Sequence, residues 1–396
     1  MERSQKSVSR NRANGGKSSA EEPGTTYDAG MSGRTLDRIE IHGYKSIASS
    51  DLELRPLNVL VGPNGAGKSN FISALGLLGA IVNGNLQLSV ARAGGASTLL
   101  HRGLKVTKTL ALRTYFGANE YEATLVPGAG DDLIFEREIC YFNAQRAPDP
   151  PFELIGIGLR ESNLSVEAKA RPGELPAQCL AAMESWQAFH FHDTSPQAGA
   201  KQKQPIADDA ALRSDAANLA PFLHRLQIAH PDHYARICDS IRLVAPFFDD
   251  FRLSPDRTNP ERIQVEWKQV GSDAYFNAHS LSDGTLRFMC LSTLLLQPDP
   301  PSVIIIDEPE LGLHPYAITQ LAEMFRSTSV SRQLIVSTQS VTLLNQLDAD
   351  DIVITELHDG ASTFERPDWA ALQSWLNEYS VGELWEKNVL GGRPYS

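Results

Sequence analysis

Two clusters of residues carry the chemistry open to this sequence. The first is Gly62-Pro63-Asn64-Gly65-Ala66-Gly67-Lys68-Ser69, which fits G-x-x-x-x-G-K-[ST] without a mismatch. Glycines at that spacing let the backbone curl so that its N–H groups converge on phosphate oxygens. A helix that follows adds its positive N-terminal end. In that geometry Lys68 reaches the β- and γ-phosphates of ATP and Ser69 holds Mg²⁺, with Asn70 closing the set of expected nucleotide contacts. The second cluster is Val303-Ile-Ile-Ile-Asp307-Glu308-Pro309-Glu310. A buried strand there delivers two acids at its carboxyl edge, where ligands bind in parallel sheets. Asp307 is expected to bind Mg²⁺, directly or through water, and Glu308 to act as general base on the attacking water. Glu310 reads as a cap of the next helix, not as a catalytic group. A short decoy, Gly15-Gly16-Lys17-Ser18, is discarded because no apolar strand precedes it.

The elements that must position these residues are legible around them. Leu57 to Val61 is nearly all apolar, as a strand covered on both faces should be, and a helix pattern runs from Lys68 to about Val82. Buried strands are expected over Val303 to Ile306 and Gln333 to Ser337. Helices are expected from about Thr285 to Leu296 and from Pro315 to Phe325. This alternation implies a parallel sheet with helices on its faces. Residues 36–42 and 50–54 alternate apolar and polar. With 108–116, 120–126 and 132–142 they predict an attached antiparallel layer.

From 143 to 254 the pattern changes. Helices are expected over Leu180 to Trp186, Asn218 to Ala229 and His233 to Pro246, with a polar, mobile loop over 194–209. No sustained heptad is visible, so this insert reads as a compact lid or docking platform. The expected organisation is a disordered tail over 1–34, an N-terminal ATPase lobe over 35–142 and the insert over 143–254. A C-terminal lobe over 255–360 and a helical appendix over 361–396 complete it. In Phe189-His190-Phe191-His192-Asp193-Thr194, two readings stand: a metal held by His190, His192 and Asp193, or a strand with two same-face histidines. Pro231 between His230 and His233 suits a helix start better than a ligand pair.

One further segment completes the pattern. Leu281-Ser282-Asp283-Gly284-Thr285-Leu286-Arg287-Phe288 begins 26 residues before Asp307. Order and spacing together resemble the ABC-type head ATPases of the SMC and RecF-like group, and the whole chain resembles compact AAA family ATPases of RecF-like type. The resemblance covers residues 36–142 and about 255–357. It implies a P-loop NTPase head of α/β class with a mixed sheet, an antiparallel β layer and an inserted helical subdomain. It also implies that Ser282, Asp283 and Gly284 act in trans: Ser282 and Gly284 donate to the γ-phosphate bound by a partner, so that ATP joins two heads in a homodimer. Asp283 and Thr285 depart from the common Leu-Ser-Gly-Gly-Gln form. Gln339, in Ser337-Thr-Gln-Ser340, stands where relatives often carry a histidine, which implies a catalytic or sensor role. Tyr44 and Lys45 are implied near the nucleotide base. Relatives of this type in antiphage or toxin-like operons imply an effector or nuclease encoded nearby; direct DNA binding and repair is one alternative, and the ATP-binding subunit of an ABC transporter, disfavoured by the insert and the unusual signature, is another.

Composition bounds the rest. The chain has 396 residues, 42% hydrophobic and 21% charged, with a formal net charge of −12. That argues against a coat of nucleic acid but leaves room for a local basic groove. The four cysteines show no paired spacing, which suits free thiols in a reducing cytoplasm. No apolar run is long enough to span a bilayer, and no signal peptide is apparent.

Overall fold

In the computed structural model, which describes residues 34–143 and 151–391, the all-apolar runs become strands buried on both faces. In the strand Val303–Asp307, Val303 and Ile305 join one hydrophobic cluster while Ile304 and Ile306 join another. Leu57–Val61 and Gln333–Thr338 divide in the same way, with Leu60 and Ile335 on the first side. These strands pair in parallel, Gln333–Thr338 lying between the other two. The sheet extends in parallel to Ile352–His358 beside Leu57–Val61 and to Trp186–Phe189 beside Val303–Asp307. Ala361–Glu365 closes one edge antiparallel.

A second, antiparallel sheet of six strands runs in the order Ile47–Glu53, Arg38–Tyr44, Leu110–Phe116, Asn119–Pro127, Leu133–Phe142, Phe152–Gly156. The helix Lys68–Val82 shares the hydrophobic cluster between the two sheets, which is why Phe71, Ile72, Leu75, Leu78, Ile81 and Val82 are all buried. Each such side chain contributes about 1.5–3 kcal/mol when withdrawn from water, so this helix is anchored along its whole length. Four helices, Leu219–Ala229, Pro231–Val244, Asp283–Leu296 and Pro315–Ser329, contribute the cluster on the opposite face.

The insert differs from its expectation. Trp186 does not end a helix: the helix is Leu175–Met183, and Trp186–Phe189 is a strand of the central sheet. Residues 143–254 are therefore not one helical body, because a core strand passes through them. Polar residues around 194–209 hide buried anchors, Ala198, Ala200 and Lys201, and a short strand Gln204–Pro205 pairs with Arg262–Ile263. The expected strand over Arg262 to Gln269 is split into Arg262–Ile263 and Glu266–Gln269. At the C-terminal end, Ala361–Glu365 is a strand, so the helical appendix begins beyond it, with Gln373–Leu376 and Val381–Glu386. The expected disordered tail lies, but for Arg34, outside the described residues. Among the described residues no helix is long and apolar enough to cross a membrane.

Candidate nucleotide site

Two glycines of the phosphate loop, Gly62 and Gly67, sit against contacts that leave no room for a side chain. A Cβ on Gly62 would lie 2.2 Å from the carbonyl oxygen of Thr355 on the neighbouring strand. Gly67 has φ +114°, and a Cβ there would lie 2.1 Å from Ser362 Oγ. Ser362 donates to the Ala66 carbonyl at 2.6 Å and lies 2.6 Å from Ser46 Oγ. Asn70, expected among the nucleotide contacts, donates its side-chain amide to Ser46 Oγ at 2.7 Å. Asn64, Gly65 and Ser69 are exposed at the rim of the loop. The Lys68 amine donates to the carbonyls of Gly62 at 2.7 Å and Pro63 at 3.1 Å. Burial lowers its pKa, while Glu308, Asp307 and Glu310, in that order, pull it back up. Lys68 and the acid pair thus share one electrostatic neighbourhood.

The acids emerge where three parallel strands end together. Asp307 pairs in register with Ser337, whose hydroxyl donates to Asp307 Oδ1. The Glu308 backbone N–H donates to Ser337, at 3.1 Å from the carbonyl and 3.2 Å from the hydroxyl. Glu308 has φ +43°, a left-handed conformation that costs a residue with a Cβ about 1–3 kcal/mol. That turn aims its carboxylate at Gln339, whose side-chain amide donates to Glu308 Oε1. Glu310 is not a surface helix cap. It is buried, accepts from Thr338 Oγ1 at 2.6 Å and from the Gln339 N–H at 3.1 Å, and burial raises its pKa.

Ser282 caps the helix Asp283–Leu296, accepting from the Thr285 N–H at 3.1 Å. Gly284 packs against the turn beyond the acids: a Cβ there would lie 2.2 Å from the Gly312 carbonyl oxygen. Arg287, one helical turn on, donates to the carbonyl of Leu311, to that of Phe191 at 2.9 Å and to that of His192 at 3.2 Å. The segment is thereby locked to the acidic strand's own turn, with Asp283 largely exposed beside Lys201.

Tyr44 is buried and places its hydroxyl 2.9 Å from Ser73 Oγ, to which Lys45 also donates at 3.0 Å. Sequence reading also missed the place of His190. Because Phe189 pairs with Ile306, the next residue, His190, emerges beside Asp307 at the same sheet edge, and its pKa, lowered by burial, is raised in part by Asp307. The sequence places Trp186 at the end of a helix and offers a strand only from Phe189 to Thr194, whereas Trp186–Phe189 is a strand of the central sheet. Among the described residues no group of three or more His, Cys, Asp or Glu side chains is arranged to hold a metal. The Ser69 hydroxyl and the Asp307 carboxylate are hard oxygen donors, the kind Mg²⁺ takes alongside phosphate and water.

A mixed, mostly parallel sheet with a phosphate loop and an acidic strand end side by side defines an ABC- or SMC-like P-loop ATPase head. The chain belongs to the family described as "AAA domain, putative AbiEii toxin, Type IV TA system", whose model matches residues 57–345. Among solved structures it is similar to an SmcHead bound to the C-winged helix domain of ScpA, at 16% identity and TM-score 0.52, covering 85% of this chain and 99% of that one. An Smc head with an extended coiled coil, bound to the C-terminal domain of ScpA derived from Pyrococcus furiosus, matches at 15% identity and TM-score 0.51, covering 87% and 98%. These likenesses establish the fold. No curated protein matches the chain.

Proposed function

We propose that this protein binds ATP with Mg²⁺ and hydrolyses it to ADP and phosphate in the cytoplasm, using the cycle to join and release two copies of itself. Gly62 to Asn70 form the nucleotide cradle, Ser69 and Asp307 hold Mg²⁺, and Glu308 deprotonates the attacking water. Gln339 orients Glu308 and senses the γ-phosphate, while Ser282, Asp283 and Gly284 meet the nucleotide of the partner copy. The observation that carries this reading is the convergence of Lys68, Asp307, Glu308 and Gln339 at the carboxyl edge of three adjacent parallel strands. The cycle would control an effector or nuclease partner, in phage defence; the family description, with its toxin system, supports this reading. The test is ATP turnover by the purified chain with Mg²⁺, alongside its mass in solution with ATP and with ADP. Turnover no faster than that of Glu308→Gln would refute hydrolysis.

A second reading, direct action on DNA in genome maintenance, is favoured by one observation. Arg102, Lys105 and Lys108 are all exposed on one loop of a chain with net charge −12, and no carboxylate pairs with them among the described residues. Duplex DNA would then stimulate turnover, and the effect would weaken steeply with salt.

A further inference from the structure

Glu310 has a geometry that the roles above leave unexplained. The residue is 8% exposed. One oxygen, Oε1, accepts two hydrogen bonds from the neighbouring strand end, from Thr338 Oγ1 at 2.6 Å and from the Gln339 N–H at 3.1 Å. The other, Oε2, is buried with no partner among the described residues. A carboxyl with one oxygen unsatisfied is costly, by about 1–3 kcal/mol, so this position is poor for stability alone. What it achieves is a tie between two turns. Glu308 begins the turn that Glu310 ends, with the Leu311 N–H donating to the Glu308 carbonyl at 3.3 Å. Gln339, whose backbone Glu310 holds, reaches back with its side chain to Glu308. Thr338 also accepts from the Ser340 N–H at 3.0 Å, and Ser340 caps the following helix.

Resting on the hydrolytic reading, we propose that Glu310 is a positioning residue for ATP hydrolysis: its buried Oε1 clamps the Thr338–Gln339 turn so that the Gln339 amide holds the Glu308 carboxylate in line for the attacking water. The loop closes through three links, Glu310 to the Gln339 backbone, Gln339 side chain to Glu308, and Glu308 back along the turn to Glu310. Glu310 acts through Gln339. The next turn of chain continues into Gly312, which abuts Gly284, so the clamp also adjoins the surface that carries the signature segment.

The experiment compares Glu310→Ala and Glu310→Gln in the full chain. Gln keeps the acceptor at Oε1 and puts its amide where Oε2 has no partner. Expected for Glu310→Ala, which removes both hydrogen bonds to Oε1, is a kcat about tenfold or more below wild type, with KM for ATP changed by less than about threefold. Hydrogen exchange at the Gln339 amide should quicken in Glu310→Ala and stay near wild type in Glu310→Gln, which should also keep most of kcat. In a Gln339→Ala background, Glu310→Ala should add little further loss, because one acts through the other. The inference is overturned by unchanged Gln339 exchange in Glu310→Ala, by wild-type kcat in that variant, or by additive losses with Gln339→Ala. Equal damage from Glu310→Gln would overturn it too. A wild type that binds ATP without turning it over fails the hydrolytic reading and takes this role with it. Normal wild-type turnover beside an unimpaired Glu310→Ala fails this inference alone.

Discussion

Gln339 donates its side-chain amide to the carboxylate of Glu308. The two residues lie at the ends of neighbouring parallel strands, and neither would meet the other without the left-handed turn at Glu308. A neutral amide can orient a base without competing for its proton. Glu308→Gln should therefore keep ATP binding and lose turnover by about a hundredfold or more. Steady-state hydrolysis and nucleotide binding measured on the same preparation separate the two effects. The variant should also accumulate as an ATP-bound dimer in size-exclusion chromatography, and a monomer at saturating ATP would contradict the dimer cycle.

Lys68→Ala should abolish measurable nucleotide binding, since it removes the only lysine of the loop and the charge that the three acids surround. A fluorescent ATP analogue read by anisotropy tests this. Affinity within threefold of wild type would place the nucleotide elsewhere.

Action of Ser282 in trans has a signature that no single variant can mimic. Lys68→Ala and Ser282→Arg should each be inactive alone. Mixed in equal amounts, half of a twofold-symmetric population is hybrid and each hybrid holds one intact composite site, so about a quarter of wild-type turnover should return. No recovery on mixing would mean that the signature serves its own subunit.

Asp351, beside Asp348 and Asp350, is pushed up to about 6, first by burial and then by Asp348, against the pull of Arg366 and Arg55. An acid whose folded pKa is raised binds its proton more tightly in the native state. Stability should therefore fall as pH rises from the unfolded carboxyl range through about 6. Asp351→Asn should raise Tm at pH 8 and leave it nearly unchanged at pH 4. After discounting for solvent screening, the gain is on the order of 1 kcal/mol, about 2 °C at this chain length. Thermal melts at the two pH values decide it, and an equal shift at both would remove Asp351 from the account.

Much of the head was legible because its elements are buried on both faces. Runs such as Val303 to Ile306 have one reading only when two flanking glycine or acidic motifs fix their ends, and those motifs do. The insert was less legible for a physical reason. Trp186 to Phe189 sits at the edge of the sheet, where Trp186, Gln187 and Ala188 are only partly buried, so the strand shows no clean apolar run. Glu310 was misread because sequence cannot tell a buried acid from a solvated cap. Its meaning comes from Thr338, 28 residues away. Asn70 follows the loop motif, yet its amide is engaged by Ser46, a contact supplied by the antiparallel layer's hairpin.

The staple from Ser362 to the Ala66 carbonyl joins residues 296 positions apart. The phosphate-loop strand likewise has for its hydrogen-bonded neighbours Gln333–Thr338 and Ile352–His358, both far downstream of it in the sequence. A chain emerging from the ribosome thus carries a loop sequence able to grip triphosphate long before it carries the walls that shape it. The full set of walls around the loop is in place only once the chain has been made through Ser362. A truncated product ending before Ile352 would carry the loop sequence without one of the two strands that flank it.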